Sequence, residues 1–149
     1  GSISSGGRYD SLASDGKTTF PGVGISLGVT RMLVPLLARG VVTASRSVPT
    51  CVLVALDAEQ SRPRAYAIAQ QLRARGIACE VAPKADRFGK QIKYADRRGI
   101  PFVWFETAEE DGAAPRSEVK DIRSGEQVPA DPATWQPPAD DLRPRVVVA

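Results

Sequence analysis

The sequence predicts an α/β protein: a three-layer domain whose mixed, mostly parallel sheet carries helices on both faces. Short apolar runs, apolar stripes at helical spacing, and a regular alternation of the two predict this fold. Residues 51–56 are continuously apolar, which is typical of a strand buried on both faces. Strand–helix–strand units of this kind join parallel neighbours through right-handed crossovers.

The predicted elements begin with a buried strand over residues 21–27, whose glycines indicate close approach by another group. Helical spacing follows over residues 28–39, and Pro35 within it should kink or shorten the helix. Beyond residue 50 we predict strands at 51–56, 77–81, 100–105 and 118–122, a helix ending near 75, and another beginning at 88 and closed by Gly99. The tail is rich in proline, and residues 146–148 are either a last strand or a frayed end.

The composition excludes several classes of function. The chain has 149 residues, of which 42% are apolar and 25% are charged, as in an ordinary soluble globular domain. It has no histidine and two distant cysteines, so we expect no metal site, and a nucleophile paired with histidine within this chain is excluded. No apolar run could span a bilayer and no signal peptide begins the chain, so we expect a cytoplasmic protein with reduced thiols and no membrane partner.

Charge is unevenly distributed along the chain. The net charge is +3, but residues 1–105 carry +8 and residues 106–149 carry −5. A positive body with an acidic tail indicates a polyanion as partner of the body. A solvated surface with chance asymmetry gives the same pattern, so charge alone leaves both interpretations open.

The predicted helix over residues 88–98 has a basic face. Lys90, Lys93 and Arg97 are three and four residues apart, so they share one side of the helix. The adjoining side has polar and aromatic residues: Arg87, Gln91, Tyr94 and Arg98. A ring among cations and amides can stack on an unpaired base while the cations hold phosphate. A solvated helix exterior with a half-buried Tyr94 explains the same spacing.

Two glycine-rich segments near the beginning of the chain stay ambiguous by spacing alone. Residues 22–28 hold three glycines before a helix with Arg31, an arrangement that suits an anion, although close packing of strand on helix explains it better. No Gly-Lys-Ser/Thr of a P-loop follows. Residues 6–10, GGRYD, would equally suit a hairpin turn with a surface salt bridge.

Taken in order, these segments resemble the C-terminal part of the histidyl-tRNA synthetase family, among the class II aminoacyl-tRNA synthetases. GGRYDSL at 6–12 resembles the second histidine-specific signature, and PGVGISLGVTR at 21–31 resembles class II motif 3, which ends in Arg31. The clearest resemblance to the family's C-terminal anticodon-binding domain lies in KQIKYAD at 90–96, VKDI at 119–122 and GEQ at 125–127. The resemblance implies a remnant of an antiparallel-sheet catalytic core at 1–40, a linker at 41–49 and an anticodon-binding domain at 50–149.

The resemblance also implies roles for individual residues. Arg31 would be catalytic, contacting the γ-phosphate of ATP during adenylation. The ATP and histidyl-adenylate pocket would include Gly6, Gly7, Arg8, Tyr9, Gly24 and Gly28. The anticodon-binding surface would include Arg87, Lys90, Gln91, Lys93, Tyr94, Lys120 and Gln127. The parent enzyme would use ATP and Mg²⁺, whereas we expect no cofactor bound to this piece alone.

The parent enzyme would join histidine to tRNA(His) through an adenylate, as a cytoplasmic homodimer. Motif 1, motif 2 and the first histidine-specific signature are absent from this sequence. We therefore expect a fragment that is inactive by itself, because half an active site cannot position both ATP and the amino acid. The alternatives are a free-standing tRNA-binding or regulatory module without catalysis and, last, a catalysis-free paralogue that regulates histidine biosynthesis.

Overall fold

The structure, a computed structural model, describes residues 1–106 and 116–149. It divides into a first unit, residues 1–43 with 146–149, and a second unit, residues 44–145. The acidic loop predicted at 106–116 lies almost entirely outside the described residues. The boundaries at 40 and 50 that the sequence suggests stay a prediction.

The first unit is built on a hairpin and one helix. Strand β1 (Ser4–Tyr9) pairs antiparallel with β2 (Gly22–Leu27), and helix α1 (Val29–Ala38) follows directly. Helix α1 continues three residues past Pro35, so the proline does not end it. Strand β3 (Val42–Ala44) pairs with Val146–Val148, which form a strand rather than a frayed end.

Apolar side chains of the first unit are largely uncovered. No residue of α1 is buried, and Val23 and Ile25 of β2 are 86% and 84% exposed. The exposed apolar residues of α1 are Val29, Met32, Leu33, Val34, Leu36 and Leu37. A contiguous apolar surface on a small unit is typical of a face that another element covers.

The second unit has a five-stranded sheet with two long helices. Its strands are β4 (Val52–Val54), β5 (Cys79–Val81), β6 (Phe102–Glu106), β7 (Ser117–Asp121) and β8 (Gln127–Pro129). They lie in the order β5-β4-β6-β7-β8. Helix α2 (Arg62–Ala74) and helix α3 (Phe88–Arg98) connect the parallel strands, and short 3₁₀ turns lie at Glu59–Ser61 and Ala139–Asp141. The molecule is therefore α/β with a mixed sheet, as the sequence predicts.

The prediction of a mostly parallel sheet needs correction, because only two of the four strand pairings in the second unit are parallel. Strand β4 is parallel to β5 and to β6, whereas β6–β7 and β7–β8 are antiparallel. Ten residues separate β6 from β7, and five separate β7 from β8. A parallel crossover needs a dozen residues or more, so these short connections force the chain to reverse.

The register assigns side chains to the two faces of this sheet. Leu53 of β4 lies beside Glu80 on one side and Val103 on the other, and Val103 lies beside Lys120. These residues share one face because directly opposite side chains in a sheet point the same way. Phe105, two residues beyond Val103, belongs to this face and meets Phe88 of α3 edge-on, with ring centroids 5.0 Å apart.

The other face of β4 and β5 is close to α2. The Cys79 thiol lies 3.3 Å from the carbonyl oxygen of Ala69 in the middle of α2. Trp104 is fully buried on this face, and its ring meets that of Trp135 at 5.7 Å. The guanidinium of Arg75 donates to the carbonyl oxygens around Trp135, at Pro132, Thr134 and Trp135 itself. Arg75 and the Trp135 ring thus bind residues 132–135 of the proline-rich tail to the domain.

A charged cluster holds the end of β7. Arg123 donates to Asp121 at 2.7 Å and to Asp141 at 2.8 Å, and its guanidinium carbon lies 5.3 Å from the centre of the Phe102 ring. Hydrogen bonds from Arg123 are the main reason that the pKa of Asp121 is lowered from its ordinary 3.8. A carboxylate with a lowered pKa contributes stability above its unfolded-state pKa and loses it as the pH falls through the folded-state value.

We therefore predict that Arg123→Gln lowers the free energy of unfolding at pH 7, and that the difference from wild type shrinks as the pH falls below about 4. Urea unfolding of both proteins at neutral and acidic pH measures this difference. Arg145→Gln is the matched control, because Arg145 lies 4.0 Å from an exposed Asp140 and should contribute little. A difference between wild type and Arg123→Gln that does not change with pH would contradict the assignment.

Candidate nucleic-acid interface

Helix α3 is fixed at both ends by its local sequence. The Asp86 carboxylate accepts the backbone N–H of Arg87 at 2.8 Å, immediately before the first turn. Gly99 ends the helix with a φ of 70°, a left-handed conformation that glycine adopts without strain. A Cβ at Gly99 would also come within 3.1 Å of the Arg46 side chain. Ala95 is buried against the sheet, which leaves the opposite side of α3 facing outward.

A basic cavity of about 190 Å³ lies between α3 and the loop that follows β5. We use this name for the space lined by Leu53, Ala82, Pro83, Lys84, Asp86, Lys90, Gln91, Tyr94 and Arg97. Three residues of the predicted anticodon-binding surface line it: Lys90, Gln91 and Tyr94. The sequence analysis missed Lys84, which lies three residues after the end of β5 and so near the carboxyl edge of the parallel strands.

The other predicted surface residues lie nearby but outside the cavity lining. Lys93 and Arg87 are exposed on α3 and at its beginning. Lys120 and Gln127 lie opposite each other on β7 and β8, in the same cross-strand row as Leu53. The amide of Gln127 donates to the Glu118 carboxylate. The predicted residues therefore belong to one face of the sheet, in two groups.

Gln91 is the exception among these residues, because it lies in the interior. Gln91 is only 5% exposed, and its side-chain amide is hydrogen-bonded to the backbone of Leu56 and Asp86. Helical spacing alone placed it beside Tyr94 on an outward face. The structure instead assigns its hydrogen-bonding groups to the protein, so they are not free to contact a base.

Tyr94 is half-buried, with its ring at the edge of the core. Burial is the main cause that raises the pKa of its hydroxyl above 10, and a hydrogen bond to Glu80 adds to this. The guanidinium carbon of Arg98 lies 5.3 Å from the ring centre, so Arg98 covers one side of the ring. A base that stacks on Tyr94 would have to use the side of the ring that Arg98 leaves accessible.

Cations without an ion-pair partner gather around α3. Lys93, Arg97 and Lys120 form no ion pair within the described residues, and Lys90 pairs only with Asp86, at 3.1 Å. Elsewhere in the second unit several arginines pair with carboxylates, among them Arg62, Arg64 and Arg123. By contrast, Arg46, Arg73 and Arg75 donate to backbone carbonyl oxygens. The face that carries the basic cavity therefore has a group of positive charges that ion pairs within the described residues do not compensate.

The predicted nucleotide-pocket residues lie on the hairpin of the first unit. Gly7 is opposite Gly24, and a Cβ on Gly24 would lie 3.0 Å from the Tyr9 ring. A Cβ on Gly6 would lie 2.5 Å from the carbonyl oxygen of Gly24, which no side chain tolerates. These glycines allow the two strands and the ring to pack together.

The hairpin does not bring all of the predicted pocket residues to one place. Arg8 and Tyr9 are consecutive in β1, so their side chains point to opposite faces, and Arg8 pairs with Asp10 at 2.7 Å. Arg31, exposed in the first turn of α1, donates to the carbonyl oxygen of Ser2 at 2.8 Å, just before β1 begins, whereas Tyr9 ends β1. Gly28 precedes α1, and its N–H donates to Ile3 at 2.7 Å.

Within residues 1–106 and 116–149, no group of three or more His, Cys, Asp or Glu side chains could hold a metal ion. In the same residues no helix combines the length and apolar character needed to cross a membrane.

Comparison with known proteins gives consistent matches. The chain is 61% identical over 147 residues to a histidine–tRNA ligase of Cutibacterium acnes, covering 99% of the chain and 32% of the relative. It is 60% identical over 149 residues to a histidine–tRNA ligase of Micrococcus luteus, again 32% of the relative. The chain thus spans about a third of the length of these relatives.

A solved structure and a family model extend the comparison. The crystal structure of histidyl-tRNA synthetase from Nostoc sp. PCC 7120 matches with a TM-score of 0.55 and 37% identity, covering 89% of this chain and 32% of that chain. The model of the anticodon binding domain matches residues 50–133, more than half of the chain. The chain therefore belongs to the anticodon-binding domain family.

Proposed function

We propose that the chain is part of a histidine–tRNA ligase whose second unit binds the anticodon loop of tRNA(His). The parent enzyme activates histidine with ATP and Mg²⁺ and transfers it to the tRNA, acting in the cytoplasm as a homodimer. The basic cavity is the observation that carries the RNA-binding part of this proposal. It combines an aromatic ring with Lys84, Lys90 and Arg97 around one concave space.

The size and chemistry of the basic cavity suit a single unpaired base. Its volume of about 190 Å³ is smaller than that of pockets for drug-sized ligands, which begin at about 300 Å³. A flat base can stack on Tyr94 while its flanking phosphates meet the cations at the rim. Single-stranded loops present such unstacked bases, whereas a duplex hides them.

The position of the cavity in the fold supports the same function. We infer that α2 and α3 cover opposite faces of the sheet, which makes the second unit three-layered. Ala82, Pro83 and Lys84 follow β5 at the carboxyl edge of the parallel strands, where open α/β sheets bind ligands. Lys120 and Gln127 extend this face across β7 and β8, so they would contact nucleotides beside the cavity.

For the first unit we propose a share in the ATP pocket of the parent enzyme. Arg31 uses one guanidinium nitrogen on Ser2 and presents the rest of an exposed guanidinium, which fits a phosphate. The glycines of the hairpin fit the close approach of an adenylate to the backbone. ATP supplies the activated phosphate that makes the histidine carboxyl reactive. Within the described residues this unit offers no carboxylate cluster, so its residues would hold phosphate rather than Mg²⁺.

Uncovered apolar residues of the first unit support a longer parent enzyme. The apolar side chains of α1 and β2 face solvent in this chain, and the matched relatives are about three times as long. Further sheet strands of the parent enzyme would cover them. A free-standing RNA-binding or regulatory module, the alternative, leaves this apolar surface in water and is disfavoured for that reason.

The RNA-binding proposal predicts a salt-dependent affinity for the anticodon stem-loop of histidine tRNA. Arg97→Gln should weaken binding and lower the slope of log affinity against log salt by about 0.7, because one phosphate contact to a single strand is lost. Arg64→Gln is the matched control, since Arg64 on α2 pairs with Glu106 at 2.6 Å and does not line the basic cavity. Fluorescence anisotropy over a series of salt concentrations measures both slopes. Equal affinity for an unrelated stem-loop would reduce the interaction to bulk electrostatics.

Stacking on Tyr94 gives a separate prediction. Tyr94→Ala should weaken binding of the same stem-loop by about 1–3 kcal/mol, the usual contribution of one base–aromatic stack. Tyr94→Phe keeps the ring and should bind almost as wild type. Thermal unfolding of both variants checks that the domain stays folded. If Tyr94→Ala bound with wild-type affinity, the ring would be a core residue only.

The assignment of Arg31 is tested in the complete enzyme. Arg31→Gln should abolish ATP–pyrophosphate exchange and leave tRNA affinity nearly unchanged, because charge at the departing pyrophosphate is lost while the second unit is intact. Arg39→Gln, at the other end of α1, is the matched control and should retain exchange. Normal exchange by Arg31→Gln would refute the assignment.

A further inference from the structure

Gln91 is buried although it is polar and lies on the helix that carries the basic cavity. Gln91 and Thr50 are the two buried polar residues in the part of the chain that the structure describes. A buried amide is costly unless its donors and acceptor are all bonded. The partners of Gln91 are therefore informative about what its burial achieves.

All partners of the Gln91 amide are backbone groups on two other segments. Its Oε1 accepts the N–H of Leu56 at 2.9 Å, and its Nε2 donates to the carbonyl oxygen of Leu56 at 2.8 Å. The same Nε2 donates to the carbonyl oxygen of Asp86 at 2.5 Å. Leu56 lies two residues beyond β4, where the ladder with β6 has ended. The side-chain amide, together with the N–H of Asp86 at 3.4 Å from the Leu56 carbonyl oxygen, takes the place of a neighbouring strand.

These bonds join the opposing walls of the basic cavity. One wall is α3, with Lys90, Tyr94 and Arg97, and the other is the loop of Ala82, Pro83 and Lys84. Asp86 ends that loop, and its carboxylate accepts both the N–H of Arg87 and the ammonium of Lys90, at 2.8 Å and 3.1 Å. Gln91 thus holds the loop, the end of β4 and the first turn of α3 in one arrangement.

We propose that Gln91 is a positioning residue for RNA recognition, setting the width of the basic cavity by tying its loop wall to its helix wall. This inference rests on the proposed RNA-binding function of the same site. Gln91 carries no charge and its amide faces the protein, so it contributes nothing to the attraction of phosphate. Its loss should therefore reduce discrimination between loops of equal charge more than it reduces general affinity for RNA.

The experiment compares two stem-loops of equal length, one with the histidine anticodon and one with other loop bases. Gln91→Met has similar length and no amide, and we expect its ratio of the two dissociation constants to fall about tenfold, or 1.4 kcal/mol. The salt dependence of binding should stay as in wild type. Ile68→Val is the matched control, because Ile68 is 4% exposed on α2, away from the basic cavity.

Gln91→Glu supplies a second measurement on a nearly isosteric side chain. Its carboxyl is buried against the carbonyl oxygens of Leu56 and Asp86, which raises its pKa above the ordinary value of about 4.3. When protonated it donates one hydrogen bond and restores part of the link. Charged groups near it are Asp57 beside Leu56, Lys84 and Asp86 in the loop, and Lys90 and Arg97 on α3. We expect discrimination relative to wild type to recover as the pH falls from about 8 to about 5.

The outcomes separate this inference from the function on which it rests. Full discrimination by Gln91→Met would overturn the positioning role while leaving the RNA-binding proposal intact. An equal loss of discrimination in Ile68→Val would show that general stability is responsible. If the discrimination of Gln91→Glu did not recover at low pH, that result would also contradict the inference. Failure of the wild-type chain to distinguish the two stem-loops would refute the proposed function itself. Where Gln91→Met does not fold, Gln91→Glu at low pH decides.

Discussion

Burial of β4 on both faces is the constraint on which the second unit depends. Residues 51–54 are 0–1% exposed, so β4 needs apolar cover, and the core cluster around it includes residues of both α2 and α3. The same burial removes water from the backbone beyond the end of β4, and its polar groups need other partners. The Gln91 amide meets this need at Leu56. Helix α3 is therefore held by the core along one side, and its other side is free to carry cations.

Most of the fold can be predicted from local sequence, and the main error of that prediction concerns strand direction. Continuous apolar runs and helical stripes located the strands and helices of the second unit, because burial requires those patterns whatever the topology. Strand direction depends on connection length, and the ten residues between β6 and β7 are too few for a parallel crossover. Connection lengths can be counted in the sequence, but the alternating side chains that predict β7 carry no information about its direction. The Trp135 contact with Trp104 joins residues far apart in the chain, which no local pattern reveals.

The candidate site was predictable where helical spacing decides and not where tertiary contacts decide. Helical spacing places Lys90 and Arg97 on one side of α3 and Tyr94 on the adjoining side, and all three line the basic cavity. Gln91 follows the same spacing rule, but its burial depends on Leu56, 35 residues earlier. Lys84 belongs to the cavity through the loop after β5, so it carried no helical signal. Helical spacing predicts which side of α3 faces outward, but tertiary contacts determine which of its side chains remain free to contact a ligand.

Pairing of charges, rather than net charge, defines the face that a polyanion would meet. The whole chain carries only +3, a weak field for attracting RNA. Several carboxylates of the second unit are used by neighbours: Glu59 and Glu106 accept from arginines of α2, and Asp121 and Asp141 accept from Arg123. These arginines are neutralised in place, whereas Lys93 and Arg97 form no ion pair within the described residues. The Gln91 amide joins α3 to Leu56 and Asp86 without using a charge. The charge of Lys93 and Arg97 therefore remains available to a ligand.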